Sequence, residues 1–442
     1  MDSPSLAVSP HVLPGPLGTP AGLSPYTLVI QHAAQVLTLA GGPTDRPLAG
    51  DALGNWAVIE DGYVACLGPT IVAVGRMSEL TPARIGPGTR LINATGCVVM
   101  PGVVECHTHL VFGGNRASEF ERKLRGESYL DILAGGGGIL STVRATRAAS
   151  EAELLANALQ HLEGFRRYGV TTLEAKSGYG LDRDTELRLV RVAREAGHQQ
   201  PVRVVPTFLG AHVVPPEFKA AGPRAYVDFI LREVLPDLKG QVAFVDVFCE
   251  EGAFPLAVAR YYLEQARKMG FRLKIHAEQL HDLGGCEMAA SLGALSVDHC
   301  DYLTPAAAAR LGQQSQGRTV AVLLPLVPLF LRQEKFAAGR EFIDAGLPVA
   351  LSTDFNPGSC PSKNVWLSLS VACLKMGFTP KEAVAAVTLN AAWAIGQQRN
   401  CGSLEPGKQA DVLVLRRASI AEIPYWLGEN PVRDVVIGGC LC

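Results

Sequence analysis

The chain has 442 residues and no C-x-x-C pair, and its 11 cysteines are odd in number and scattered. That usage speaks against a disulfide framework. Cys66, Cys106, Cys249, Cys300 and Cys373 lie mostly within apolar runs, as free thiols do in a reducing cytoplasm. Cys440 and Cys442 form a single C-x-C, which reads as two incidental thiols. No apolar stretch reaches the roughly 20 residues of a membrane helix, so no membrane is expected as a partner. Neither sign of charge dominates a long segment, and the formal net charge is -2. Nucleic acid and anionic lipid are therefore not expected as partners. Residues 1–25 have no basic start and no unbroken apolar core, so they do not read as a signal peptide. Rich in Pro, Gly and Ser, they are expected to form a disordered or loosely attached tail.

What the chain does have is apolar residues, 48% of the total, enough for a large core. Residues 26–97 carry short β-type runs broken by Gly, Asp, Asn and Pro, and residues 400–442 have the same texture. We expect one small composite β domain built from both ends. Between them, in 98–399, near-continuous apolar runs such as "GVTTLEAK", "VAFVDVF" and "PVALSTD" alternate with helical patterns such as "SEAELLANALQHLEGFRRYG". Parallel strands buried on both faces produce that alternation. About eight units predict an α/β fold of the (β/α)₈ TIM-barrel type. A doubly wound open sheet is the alternative, but the Gly-rich "AGGGGIL" follows no strand pattern, which leaves nucleotide binding a weak reading.

The stretch "VVMPGVVECHTHLVFGGNR" ends an apolar run with His107 and His109. Alternate residues of a strand point the same way, about 6.6 Å apart, so both imidazoles can reach one cation. Taken alone, H-x-H is as readily a pair of structural histidines. The other strand ends change the balance: His276, His299 and Asp354 close later apolar runs, and Lys176 and His212 do likewise. Ionisable groups gathered at the C-terminal rim of a barrel mark its active site. A metal-dependent hydrolase follows.

H-T-H on the first strand, His on the fifth and sixth and Asp on the eighth resemble the amidohydrolase superfamily. "HTHLVFGGNRASEFERKLRGESYLDI", "TTLEAKSGYGLD", "TFLGAHVVPPE", "LKIHAEQL" and "STDFNPGSCP" resemble the imidazolonepropionase family within it. The resemblance implies one divalent metal ion, zinc or iron, held by His107, His109, His276 and Asp354. It implies hydrolysis of 4-imidazolone-5-propanoate to N-formimidoyl-L-glutamate, with His299 and Asp354 as catalytic groups, either of which can serve as the base. Arg116 would grip the propionate carboxylate. Tyr129, Tyr179, His212, Gln279, Asn356, Gly358 and Ser359 would contact substrate or product. The resemblance also suggests a homodimer, and the free thiols suggest the cytoplasm. Two departures stand out: Gln279 replaces a Glu carried by some relatives, and Leu326 replaces a common Gly. Glu250 and Glu251 on the fourth strand leave room for a second ion, but a single ion is the reading adopted. The runner-up is another cyclic amidohydrolase or an aromatic deaminase. A non-catalytic barrel scaffold is the reading from a different class, and the intact ligand set argues against it.

Overall fold

The computed structural model describes residues 24–127, 131 and 136–442. Most of the expected tail, residues 1–23, lies outside the described residues, as does Tyr129. Eight parallel strands follow one another in order around a nearly closed barrel: Val103–Glu105, Val170–Lys176, Arg203–Ala211, Phe244–Cys249, Arg272–Ala277, Ser296–His299, Val320–Leu323 and Val349–Leu351. We call them barrel strands one to eight. Each is buried along nearly its whole length, which explains the unbroken apolar runs.

Side chains close the seam between strands eight and one. The Glu105 carboxylate accepts hydrogen bonds from Ser352 Oγ (3.0 Å) and Thr353 Oγ1 (2.7 Å). Ser352 Oγ in turn accepts from the His107 backbone N–H at 2.9 Å. Burial pushes the Glu105 carboxyl up to about 7, against the pull of these hydrogen bonds.

The second sheet joins the two chain ends. Its strands lie in the order Cys440–Leu441, Val432–Ile437, Val412–Leu415, Val98–Pro101, Leu28–Leu37, Val58–Leu67 and Thr70–Arg76, and Arg90–Asn93 also pairs with Leu28–Leu37. Ile30, Val36 and Val64 from the N-terminal part pack with Val412 and Val436 from the C-terminal part in one apolar cluster. One detail differs from the expected layout. Val98–Pro101, read with the barrel because the apolar run continues through it, pairs instead with Val412–Leu415 and Leu28–Leu37. The run changes sheets at Gly102, where a Cβ would come within 2.2 Å of Thr171 Oγ1. Only a residue without a side chain lets the two sheets meet so closely.

The barrel helices follow the helical patterns. Glu151–Arg167 begins with a capping box in which Ser150 and Glu153 satisfy each other's backbone N–H groups. Leu154, Ala158, Leu162 and Phe165 form its buried stripe. Among the described residues no helix is long and apolar enough to cross a membrane.

Gly102→Ala should destabilise the protein by about 1–3 kcal/mol through overpacking. Thr171→Ala in the same chain should recover part of the loss. Thermal unfolding of the single and double variants measures both.

Candidate active site

The C-terminal ends of the strands surround a cavity of about 700 Å³. His109, His276, His299 and Asp354 line it, and His107 lies buried just beneath. Donor atoms of His107, His109 and Asp354 lie within 4.8 Å of one another, as do those of His107, His276 and His299. His107 belongs to both groups. Asp354 Oδ1 is 3.4 Å from His107 Nε2 and 3.5 Å from His109 Nε2.

Each inner histidine is aimed by a carboxylate behind it. His107 Nδ1 donates to Asp298 Oδ2 at 2.7 Å, and His276 Nδ1 donates to Asp246 Oδ1 at 3.1 Å. These bonds place the proton on Nδ1 and leave the Nε2 lone pair facing the cavity floor. Both Nε2 atoms and Asp354 Oδ1 are buried without a hydrogen-bond partner. Orphaned acceptors clustered this closely fit a cation, because burying them unpaired is costly. The residues present therefore suit a divalent metal.

Charge and burial set the protonation states. Burial and the nearby Lys176 push His107 down, but the hydrogen bond and charge of Asp298 prevail and raise it. Burial lowers His276 well below the usual histidine range, with further repulsion from His107 and Lys176. Burial takes His212 down to about 3 and His299 down to about 4. Burial pushes Asp354 up, but the close approach of His107 and His109 outweighs it and holds the carboxyl well below its usual range. His299 (φ +83°) and Asp354 (φ +57°) adopt left-handed backbone, a strain of about 1–3 kcal/mol each.

The remaining expected residues that are described, all but Tyr129, converge on the same cavity. Tyr179, His212 and Gln279 line it, together with Arg116 and the loop from Asn356 to Ser359. His212 stacks on His109 with ring centroids 5.2 Å apart, and its Nδ1 donates to Gly178 O at 3.1 Å. The loop carrying Tyr179 is pinned by Glu186, whose carboxylate accepts from the N–H groups of Gly178, Gly180 and Leu181. The Asn356 side chain folds the next loop by accepting from the N–H groups of Gly358 and Ser359. Arg116 lines the cavity, and its Nε donates to Glu119 Oε2 at 2.9 Å. A Cβ on Gly358 would fall 2.1 Å from Arg116 Nη1, so the guanidinium rests directly on that glycine.

Other positions have different duties. Glu250 accepts from Leu280 N–H and His281 Nδ1, each at 2.8 Å, and so braces the loop after strand five. Glu278 caps the helix at Gly285 and Cys286 rather than facing the cavity beside Gln279. The Gly-rich segment ends at Gly138, whose N–H donates to Glu119, so this helix start is met by the protein's own carboxylate. Leu326 opens the short helix Leu326–Leu331, whose Phe330 and Leu331 wall the cavity.

Sequence reasoning missed Asp246, Asp298, Glu174 and Lys274, and it left Lys176 without a role. All five are buried. Lys176 Nζ lies 2.7 Å from Asp246 Oδ2, 3.0 Å from Glu174 Oε2 and 3.2 Å from Asp298 Oδ2. Burial disfavours its charge, but Asp246, Glu174 and Asp298 prevail and hold the ammonium well above the usual lysine range. The signal was present: a charge at alternate positions inside an apolar run, as in Glu174 with Lys176 and Lys274 with His276.

A barrel with histidines just after its first strand and on its fifth and sixth, and an aspartate after its eighth, defines an amidohydrolase, and residues 98–442 match the amidohydrolase family model. A zinc-bound adenosine deaminase from Xanthomonas campestris has a similar fold, with a TM-score of 0.67 at 17% identity over 95% of this chain and 93% of its own. Sequence similarity goes further. Imidazolonepropionase of Symbiobacterium thermophilum is 45% identical over 95% of this chain and 98% of its own length. That of Geobacillus kaustophilus is 43% identical over 93% and 97%. The chain belongs to the imidazolonepropionases of the amidohydrolase family.

Gly358→Ala should push the Arg116 guanidinium off its seat, visible in a crystal structure of the variant. Calorimetry should show a small carboxylate ligand binding about tenfold more weakly, the scale of one charge-assisted hydrogen bond.

Proposed function

We propose that the chain hydrolyses the ring amide of 4-imidazolone-5-propanoate to N-formimidoyl-L-glutamate, with one zinc or iron ion held by His107, His109, His276 and Asp354. The observation that carries this reading is a braced guanidinium, Arg116, in the same cavity as the histidine–carboxylate cluster. One end of the cavity suits an anionic arm and the other suits hydrolysis. A neutral nucleobase would offer Arg116 no anionic partner beyond Glu119, which disfavours a deaminase.

Bound at the orphaned nitrogens, the ion would supply Lewis acidity and make water acidic enough to ionise near neutral pH. Imidazole and carboxylate donors suit zinc and iron alike. The chain's own residues do the rest. Water adds its oxygen to the ring carbonyl carbon, the C–N bond breaks, and the ring nitrogen gains a proton. The Asp354 carboxylate takes that proton from water and delivers it to the leaving nitrogen. His299 is neutral above about pH 4, so it offers one N–H and one lone pair. Its N–H stabilises the developing oxyanion. Arg116 holds the propionate in a bidentate fork. Tyr179, His212 and Gln279 border the ring, and Asn356, Gly358 and Ser359 border the product carboxylate. Tyr129, outside the described residues, keeps its proposed substrate contact by resemblance alone.

We place the enzyme in the cytoplasm, since all of its cysteines are free and most are buried. We infer a homodimer by the same resemblance. Sedimentation of the purified protein reads the oligomeric state.

Purified metal-loaded protein should consume imidazolone propionate, followed as loss of substrate absorbance. Deamination of a nucleobase without that loss would overturn the assignment. His276→Ala should lose turnover and bound metal together. Arg116→Met should raise KM about 10–100-fold, the worth of one or two charge-assisted hydrogen bonds, with metal content unchanged.

A further inference from the structure

We propose that the Lys176 ammonium is a built-in cation that fills the place a second metal ion would take beneath the histidines. It also holds the two carboxylates that aim His276 and His107. The inference rests on the single-ion reading above.

Donor atoms of Asp246, His276 and Asp298 lie within 4.8 Å of one another, a spacing that suits a metal ion. The Lys176 ammonium already occupies that ground. It donates hydrogen bonds to Asp246 at 2.7 Å and Asp298 at 3.2 Å, and it forms an ion pair with Glu174 at 3.0 Å. None of the four side chains is exposed to water.

Each aiming carboxylate divides its bonds between lysine and histidine. Asp246 gives Oδ2 to Lys176 and Oδ1 to His276 Nδ1. Asp298 Oδ2 accepts from both Lys176 and His107 Nδ1, while its Oδ1 accepts from Ser296 Oγ at 2.6 Å. The ammonium thus joins two carboxylate–histidine pairs that come from different strands. Without it, among the described residues three buried carboxylates would share one remaining lysine, Lys274, which lies 2.9 Å from Glu174 but 4.0 Å from Asp298. Asp246 and Asp298 would then repel each other and swing away from their histidines. Lys176 is a positioning residue on this account and does not touch substrate.

The test uses full-length protein and zinc. Competition with a chelator of known affinity gives the zinc dissociation constant, and elemental analysis gives the stoichiometry. Wild type should hold one zinc per chain. Lys176→Met keeps the side chain's length without its charge and should bind zinc about 10–100-fold more weakly, the usual cost of disturbing groups that orient metal ligands. In Lys176→Ala, ethylammonium chloride should tighten zinc binding, and sodium chloride at equal ionic strength should not.

A loaded wild type with unchanged affinity in Lys176→Met would overturn this inference alone. Wild type that retains no zinc would overturn the metal reading and this inference with it. If the variants do not fold, zinc-soaked wild-type crystals decide. An anomalous peak between Asp246 and Asp298 would overturn the proposal, and a peak at the histidines only would support it.

Discussion

Charges buried in the middle of a barrel cost several kcal/mol each unless every one finds a partner. Glu174, Lys176, Asp246, Lys274 and Asp298 meet that condition together, with bonds that cross from strand two to strands four, five and six. A barrel interior is ordinarily filled by branched apolar side chains, which set no direction. A charged network does set direction, because each carboxylate oxygen has an assigned partner. Two histidine rings inherit their orientation from it. At the seam a single oxygen of Glu105, Oε2, ties strand one to the end of strand eight through Ser352 and Thr353.

Much of the architecture could be read from the chain because burial on both faces leaves an apolar run, and eight such runs alternate with helices. The outer histidines and Asp354 were legible for the same reason: each interrupts such a run where the strand ends. The inner charges were visible as letters but not as partners. Asp246 and Asp298 stand 52 positions apart, and each reaches Lys176 only because the strands close into a circle. Periodicity gives the face a residue points to and says nothing about which strand lies opposite. The sheet change at Gly102 was hidden for a related reason, since apolar character continues across it while the pairing partner switches.

The rim is organised differently from the floor. Its groups sit on loops, and each loop is fixed by a side chain accepting from backbone N–H groups, as Glu186 does for the Tyr179 loop and Asn356 for the loop beyond Asp354. Glu119 does two things at once. It braces Arg116 and meets the start of the helix that follows the Gly-rich segment. The Arg116 guanidinium is thus tied to a helix terminus whose own partial charge favours the same carboxylate.

These two constructions separate the tasks of the site. Floor residues are held by ion pairs shielded from water, where field strength is high and rearrangement is expensive. Rim residues are held by backbone hydrogen bonds in loops, which tolerate change in sequence and shape. A barrel built this way can keep its hydrolytic centre while its recognition surface varies. Gln279 and Leu326 fit that division, because both departures from the family pattern lie on the rim and neither touches a buried ion pair. A change at Lys176 or Asp298 would reach the aim of the histidines themselves.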